Sequence, residues 1–220
     1  MRLVFATNNR HKLEEARSIL SGISVLSLND IGFHADIPED GATLEENSSF
    51  KCRFVSSFIL NSPESSAYID GCFSDDTGLE IAALGGLPGV HTARWASVTV
   101  DSAANRRKAL QELQEHSDRS AQFRTVVTLT LFDHQSDNQN VVTGGRESGL
   151  LQFEGAVRGQ IAEQEYGEHG FGYDPVFIPE GYEKTFAQLP AEVKNAISHR
   201  ARALTKMCDF FKKNHLNFVM

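Results

Sequence analysis

Residues 73–80 read FSDDTGLE, and this stretch sets two aspartates side by side at the end of a run that otherwise reads as a buried strand. Neighbouring side chains of a regular strand point to opposite faces, so Asp75 and Asp76 could enter one cleft only if the strand ended between them. Gly78 makes such an ending possible, and we predict a strand over residues 67–74. Taken alone, these eight residues favour a solvated strand end in which the acids act as turn or cap residues.

Strands and helices alternate on both sides of this stretch. Short apolar runs predict the strands, and apolar residues at helical spacing predict the helices. The predicted strands are residues 3–6, 24–28, 67–74 and 123–132, with a further strand that follows the turn DHQSDN at residues 133–138 and ends near residue 161. The predicted helices are residues 9–21, a helix that begins at Thr43, a short helix over residues 79–85, residues 101–116 and most of the chain after residue 174. The sequence therefore predicts an α/β protein with a mixed sheet.

Length and charge narrow the class of protein. The 220 residues fit one domain, residues 1–220, which is long enough to bury a substantial core. The formal charge of −8 argues against nucleic acid or an anionic membrane as the main partner, because both bind best to a dense basic surface. The three cysteines show no CxxC spacing, and no apolar run approaches the ~18 residues of a membrane span. We expect a soluble cytoplasmic protein with reduced thiols.

The segment TNNRHK, residues 7–12, lies at the predicted junction between the first strand and the first helix. Backbone N–H groups at a helix start, together with a lysine, could hold a phosphate. The glycines and the GK[ST] ending of a Walker A loop are absent. The alternative is an ordinary helix N-cap at Asn8 or Asn9, with Lys12 on a solvated face.

Carboxylates gather before and within the first turn of the second predicted helix. They are Glu39, Asp40, Glu45 and Glu46. Such oxygen ligands suit a hard cation such as Mg²⁺. Glu46 has a structural alternative, because it stands third after Thr43 in a capping box. Lys51 follows among aromatic residues, where a lysine that only extends its charged head into solvent would also fit.

The last two motifs are GFGYDP at residues 170–175 and KNAISHR at residues 194–200. The first gives a glycine-rich backbone that presents aromatic faces and one carboxylate, as a base-binding loop would, and the alternative is a β-turn with its aromatic residues in the core. In a continuous helix Lys194 and Arg200 would lie about 240° apart, so both could serve one site only if the helix broke between them. Ser198 is a natural N-cap for such a break.

Five motifs occur in order along the chain: TNNxxK, FSDDTGL, LPGVHTARW, GFGYDPVF and KNAISHR. Their order and spacing resemble the inosine/xanthosine triphosphate pyrophosphatase family over nearly the whole chain. The resemblance implies an elongated α/β fold, in which a mixed β-sheet with flanking helices forms two lobes around a central cleft, usually in a homodimer. It also implies the Mg²⁺-dependent hydrolysis of ITP, dITP and XTP to the monophosphate and pyrophosphate, which removes deaminated purines from the nucleotide pool.

The resemblance also implies a role for the residues of each motif. Asp76 would be the central acid, and the turn at residues 7–12 would bind the triphosphate. Lys51 and Lys194 would add positive charge. The full set of implied substrate-binding residues is Thr7, Asn8, Asn9, Arg10, His11, Lys12, Lys51, Thr77, Phe171, Gly172, Tyr173, Asp174, Lys194, His199 and Arg200.

Electrostatics agrees with this assignment. A triphosphate carries about four negative charges, so carboxylates alone would repel it, whereas Mg²⁺ and lysines neutralise it. We expect Asp76, with Glu39 or Asp75, to bind Mg²⁺ and to orient a water that attacks the α-phosphorus. A carboxylate that binds a metal has a depressed pKa, so whether Asp76 also acts as a general base stays open.

Base selection is expected to follow from hydrogen-bond polarity. Hypoxanthine and xanthine present an acceptor oxygen at C6 where adenine presents an amino donor, so a site with donors such as Arg200 should disfavour ATP. Two alternatives remain open from the sequence. A related pyrophosphatase with a similar fold would act on pyrimidine or modified nucleotides, and a non-catalytic nucleotide sensor would bind ITP and leave it intact.

Overall fold

The computed structural model describes residues 1–62, 68–132 and 149–215. The chain forms two compact units. Unit 1 comprises Met1–Asp76, Val126–Glu154 and Ala203–Met220, and unit 2 comprises Thr77–Thr125 and Gly155–Arg202. The predicted turn at residues 133–138 lies outside the described residues.

Strands and helices alternate through the first half of the chain. The strands are β1 (Arg2–Phe5), β2 (Ser24–Leu26), β3 (Gly71–Ile81), β4 (Pro88–Gly89), β5 (Ser120–Leu131), β6 (Leu151–Ile161) and β7 (Phe177–Pro179). The α-helices are α1 (Arg10–Ile19), α2 (Leu44–Leu60), α3 (Ser102–Glu112), α4 (Ala191–Ile197) and α5 (His199–Lys213). Strand β1 pairs in parallel with β2 and β3, whereas β4 pairs antiparallel with β3 and β7 with β6, so the sheet is mixed as predicted.

Unit 1 buries both faces of its parallel strands. Along β1 the side chains alternate, so that Leu3 and Phe5 enter one core and Val4 enters the other. The first core receives apolar residues of α1 and α5, and the second receives those of α2. The ring of Phe5 stacks on Phe73 of β3 at 4.4 Å between centroids. The part of β3 that leads into Asp75 and Asp76 is thereby held between two packed layers.

Unit 2 has a core of its own, which is rich in aromatic rings. Leu79 and Ile81 of β3 are fully buried there beside residues of β5, β6 and α3. The rings of Phe123 and Phe177 lie 4.7 Å apart, and Phe177 stacks on Phe186 at 5.3 Å between centroids. This core supports the loop that precedes β7.

The predicted end of the third strand at the two aspartates is wrong. Strand β3 runs through Asp75 and Asp76 as far as Ile81, and of the predicted helix from Leu79 only a 3₁₀ helix over Ala82–Leu84 forms, with Gly85 as its C-cap. The strand can continue because each acid meets a lysine of a different helix, so neither charge needs a strand end to reach a partner. Leu79, which prediction assigned to a helix, is needed in the unit 2 core.

Most other differences lie at element boundaries. The helix predicted from Thr43 and the helix predicted at residues 101–116 both form, with N-caps at Thr43 and Asp101. Strand β7 was not predicted, because its three residues lie in a stretch that was assigned to helix. Among the described helices, none combines the length and apolar character that crossing a membrane requires.

Candidate active site

The turn before α1 is organised by Asn9. The side-chain oxygen of Asn9 accepts hydrogen bonds from the backbone N–H groups of His11 and Lys12 at 3.0 and 3.2 Å, and Thr7 Oγ1 accepts from the N–H of Asn9 at 3.1 Å. The N-cap interpretation is therefore confirmed for Asn9. Because these N–H groups are already bonded, an anion at this turn would be met mainly by side chains.

The side chains of this turn point in different directions. Asn8, Arg10 and His11 are exposed, and Arg10 Nε pairs with Glu14 one helical turn further on, at 2.8 Å. Lys12 instead reaches Asp75, whose carboxylate lies 2.9 Å from Lys12 Nζ. The interpretation of Lys12 as a residue on a solvated face is wrong, since its side chain is mostly buried.

Lys51 of α2 is the centre of the charged cluster of unit 1. Its side chain is buried, and Nζ donates to Asp76 Oδ1 at 2.7 Å and to Glu39 Oε1 at 2.8 Å. The alternative of a lysine that only extends into solvent is wrong. Two predicted metal ligands, Asp76 and Glu39, are therefore joined through one ammonium group.

Asn47 holds Asp76 from the other side. Its amide nitrogen donates to Asp76 Oδ2 at 3.3 Å, while its oxygen accepts from the backbone N–H of Gly41 at 2.8 Å. A Cβ at position 41 would lie 2.7 Å from that oxygen, so the close approach requires glycine. Asn47 thus couples the orientation of the Asp76 carboxylate to the loop that carries Glu39.

Burial and neighbouring charges shift the pKa values in this cluster. Burial raises the pKa of Asp76, and the ammonium groups of Lys51 and Lys12 offset only part of that rise. Burial alone would lower the pKa of Lys51, but Asp76, Glu39 and Asp75 together outweigh it and raise that pKa. Carboxylates outnumber lysines in these contacts, so the cluster is suited to receive a further cation.

Metal binding at this cluster would depend on ligands besides the protein side chains. In the ranges 1–62, 68–132 and 149–215, no group of three or more His, Cys, Asp or Glu side chains is placed to hold a metal by itself. Mg²⁺ usually takes only one or two protein carboxylates and completes its shell with waters and substrate phosphates. The acid-rich chemistry around Asp76 fits that mode of binding.

The remaining acids at the start of α2 have structural partners. Thr43 Oγ1 accepts from the backbone N–H of Glu46 at 3.1 Å, and the Glu46 carboxylate accepts from the backbone N–H of Ala42 at 2.7 Å. The structural interpretation of Glu46 is thus confirmed, although its carboxylate binds the N–H one residue before the cap. The backbone carbonyl of Glu45 accepts from Gln152 at 3.1 Å.

In unit 2, the loop at residues 170–174 is built around Asp174. Its carboxylate accepts from the backbone N–H of Phe171 at 2.8 Å and from Lys194 Nζ at 2.5 Å. Gly170 has a φ of 77°, and a Cβ there would collide with the Asp174 carboxylate. The glycine before Phe171 is therefore a requirement of the loop's geometry.

The predicted break between Lys194 and Arg200 is confirmed. Helix α4 ends at Ile197, Ser198 is extended with ψ at 160°, and Ser198 Oγ accepts from the N–H of Ala201 at 3.2 Å in the first turn of α5. The break allows Lys194 and Arg200 to approach the same aromatic ring, that of Phe171. Lys194 Nζ lies 4.8 Å and Arg200 Cζ 5.9 Å from the centroid of Phe171.

The other predicted residues of unit 2 take separate positions. Arg200 is almost fully buried and donates to Thr77 Oγ1 at 3.4 Å. The ring of His199 stacks on Phe123, 4.6 Å between centroids, rather than on Phe171. Tyr173 is buried in the core and donates its hydroxyl to the carbonyl of Thr92 at 3.1 Å, and burial raises its pKa, so the phenol stays neutral.

Two residues that contact the predicted site residues were not predicted from the sequence. Asn47 lies in the ENS segment at residues 46–48, directly after the capping glutamate, and nothing in its local pattern indicates a partner 29 positions away. Arg106 lies on α3, where a charged residue is typical of a solvated helix face. It nevertheless donates to the carbonyl of Gly172 at 2.9 Å. Both contacts join segments far apart in sequence.

Comparison with known proteins identifies the family. A model of the Ham1 family matches residues 3–210 of the chain. The chain belongs to the Ham1 family. The family predicted from the five ordered motifs is thereby confirmed.

Ham1 relatives match this chain over almost its whole length. A protein of Porphyromonas gingivalis named dITP/XTP pyrophosphatase is 44% identical, with 95% of this chain and 96% of that protein covered. A protein of Flavobacterium johnsoniae with the same name is 41% identical, with 95% and 97% covered. The solved Ham1 protein of Staphylococcus aureus is 32% identical and superimposes with a TM-score of 0.77, covering 97% of this chain and all of that one. The predicted α/β fold with a mixed sheet is confirmed, and it is the fold of a solved Ham1 protein.

Proposed function

We propose that this Ham1 protein hydrolyses the non-standard purine nucleoside triphosphates ITP, dITP and XTP to the monophosphate and pyrophosphate. Relatives that share about 40% of their residues with it carry the name dITP/XTP pyrophosphatase. The observation that carries the proposal is the buried ammonium group of Lys51 held between Asp76 and Glu39. A buried lysine with excess carboxylate around it is suited to a polyanionic substrate that arrives with a cation.

Unit 1 would handle the triphosphate. The turn of Thr7, Asn8, Asn9, Arg10, His11 and Lys12 would meet the phosphate oxygens through its side chains, with Lys12 and Lys51 supplying the positive charge. Asp76 would orient the water that attacks the α-phosphorus, because Lys51 and Asn47 hold its carboxylate in one position. The bond from the α-phosphorus to the bridging oxygen breaks, and pyrophosphate leaves with the charge that the lysines stabilise.

Mg²⁺ would be held by Asp76 with one further carboxylate, Glu39 or Asp75, and it would neutralise phosphate charge and acidify the bound water. The raised pKa of Asp76 supports this assignment, because a cation beside a buried carboxylate restores its ionised form. Lys51 keeps Glu39 close to Asp76 in the absence of other cations.

Unit 2 would select the base. Phe171 would stack on the purine, and the cations of Lys194 and Arg200 that lie near its ring would face the 6-oxo group as donors. Gly172, Tyr173 and Asp174 would shape the loop, while Thr77 and His199 would position Arg200. Adenine presents a donor at C6, so ATP would leave donors facing donors, a mismatch that costs up to about 10⁴-fold in favourable sites.

The biological setting is part of the same proposal. We place the enzyme in the cytoplasm, where it would remove deaminated purines from the nucleotide pool, and we expect residues 1–220 to act as one catalytic domain with two lobes in a homodimer. No nucleic acid or membrane partner is required by this chemistry. The net charge of −8 supports that part of the proposal.

The first experiment is a substrate panel on the purified protein. Turnover of ITP, XTP, dITP, ATP, GTP and dTTP is measured with and without Mg²⁺, with pyrophosphate resolved from orthophosphate. We expect pyrophosphate from ITP, dITP and XTP only when Mg²⁺ is present, with ATP nearly inert. Preferential hydrolysis of dTTP would indicate a pyrimidine nucleotide pyrophosphatase, and tight binding of ITP without hydrolysis would indicate a sensor.

A further inference from the structure

Arg106 on α3 contacts the loop at residues 170–174 from outside the motifs that identify the family. Its Nη1 donates to the carbonyl oxygen of Gly172 at 2.9 Å, and its Nε lies 3.0 Å from a carboxylate oxygen of Glu165. The Nε contact is an ion pair without hydrogen-bond alignment, so the directional bond of this guanidinium is the one to Gly172. The Arg106 side chain is only 16% exposed.

Gly172 lies in a tight turn whose conformation glycine favours. It has a φ of 62°, and a Cβ built at this residue would meet no atom within 4 Å. The N–H of Asp174 donates to the carbonyl of Phe171 at 3.1 Å and closes the turn, but glycine itself is the residue with the widest choice of backbone angles. A charge-assisted hydrogen bond to the Gly172 carbonyl adds a second restraint on this turn.

The neighbouring residues of the loop are held by other contacts. The Tyr173 hydroxyl donates to the carbonyl of Thr92, and the backbone N–H of Phe171 donates to Asp174. Arg106 acts on the peptide between these two anchors. In a trans peptide the C=O and N–H point in opposite directions, so fixing the carbonyl of Gly172 also fixes the direction of the N–H of Tyr173.

The restraint reaches the ring that carries the cation contacts. Phe171 directly precedes Gly172, and its ring lies close to Lys194 and Arg200. A change of φ and ψ at Gly172 would move the ring relative to these cations. A base that stacks on Phe171 would then meet the donors in a different place, and discrimination at the 6-position depends on that placement.

We infer that Arg106 is a positioning residue that sets base selectivity by holding the Gly172 peptide, while Glu165 pairs with the charge of its guanidinium. The inference rests on the proposed function for its kinetic consequence. Its structural part, the restraint of the loop, can be tested without any substrate.

The decisive variant is Arg106→Met, which removes the charge and the donors but keeps an unbranched side chain. The matched control is Arg107→Met, because Arg107 is the next residue of the same helix and is exposed. Two quantities are measured on both variants: amide hydrogen exchange of the peptide that spans residues 166–174, and kcat and KM for ITP and for ATP.

We expect faster amide exchange in this peptide for Arg106→Met and an exchange rate equal to that of the wild type for Arg107→Met. The KM for ITP should rise about tenfold, the scale on which one charged hydrogen bond acts, with kcat for ITP changed much less. The ratio of kcat/KM for ITP to that for ATP should fall by a similar factor. Arg106→Lys should recover part of the loss, because one ammonium cannot serve both Gly172 and Glu165.

The outcomes separate the inference from the function on which it rests. Unchanged exchange in Arg106→Met would overturn the inference whatever the kinetics. An equal loss of kcat/KM for ITP and ATP would also overturn it, because it would mean that Arg106 only supports the fold. If the wild-type protein hydrolysed no triphosphate while the variant exchanged faster, the proposed function would fail and the restraint of the loop by Arg106 would stand.

Discussion

Each unit of this Ham1 protein contains a buried lysine paired with an aspartate, and the two pairs differ in what surrounds them. In unit 1, Lys51 bridges Asp76 and Glu39 and the carboxylates are in excess. In unit 2, Lys194 pairs with Asp174, whose carboxylate also accepts from the backbone of Phe171, and the ammonium lies near aromatic rings.

A buried lysine–aspartate pair therefore does different work in the two units. In unit 1, burial raises the pKa of Asp76 and the lysines offset only part of that rise, so the carboxylate is suited to a further cation or a reacting water. The unit 2 pair closes a loop, because the carboxylate is shared between a side chain and a backbone N–H group. The same isosteric change, aspartate to asparagine, should therefore lower turnover more in unit 1 than in unit 2 and should affect stability in opposite directions in the two units.

The largest effect is expected from Asp76→Asn. Removing the charge that orients the water should lower kcat for ITP by about 10³-fold, within the range that general acid–base groups contribute. The amide keeps the shape of the side chain, and Lys51 keeps the carboxylate of Glu39. Steady-state kinetics with ITP measures kcat, and circular dichroism checks that the variant is folded. A variant with wild-type kcat would remove Asp76 from the mechanism.

The stability of Asp76→Asn should depend on pH. The pKa of Asp76 in the folded protein lies above its ordinary value of 3.8, so the stabilising contribution of Asp76 is present at low pH and is lost as pH rises through the folded pKa. The variant does not titrate at this position. In the metal-free protein its melting temperature should therefore exceed that of the wild type at pH 7, and the difference should shrink towards pH 4. A lower melting temperature at pH 7 would contradict this.

A smaller effect on turnover, with the opposite effect on stability, is expected from Asp174→Asn. An amide accepts the bonds of Lys194 and Phe171 more weakly than a carboxylate, and hydrogen bonds to charged groups contribute about 1.5–3 kcal/mol. The free energy of unfolding should fall by about 2 kcal/mol, with KM for ITP raised more than kcat is lowered. Urea denaturation and steady-state kinetics measure the two quantities. If kcat collapsed as in Asp76→Asn, the distinction between the two pairs would be lost.

The smallest effect is expected from Ser198→Ala. This change removes the hydroxyl that caps α5, which typically costs about 1 kcal/mol. It also loosens the break that brings Lys194 and Arg200 to one ring, so KM for ITP should rise a few-fold while kcat stays close to that of the wild type. An unchanged KM together with the loss of stability would show that the helix break persists without its cap.

Local chemistry made part of the site predictable. The break at Ser198 and the caps at Asn9 and Thr43 follow from short-range hydrogen bonds between a side chain and a backbone N–H a few residues away, and such contacts are visible in the sequence. The glycine before Phe171 was likewise correctly placed in the loop. The continuation of β3 through the two aspartates was not predictable in this way, because it depends on lysines 63 and 25 positions distant.

By itself, the sequence determined the alternation of strands and helices, the helix starts and the break, and its ordered motifs determined the family. Only the tertiary structure decided that Asp75 and Asp76 serve different lysines, that Tyr173 is a buried support, and that Asn47 and Arg106 belong to the two clusters. The physical reason is the range of the interactions. Periodicity and capping act within a few residues of the chain, whereas the burial of a charge is settled by partners that folding brings from far along it.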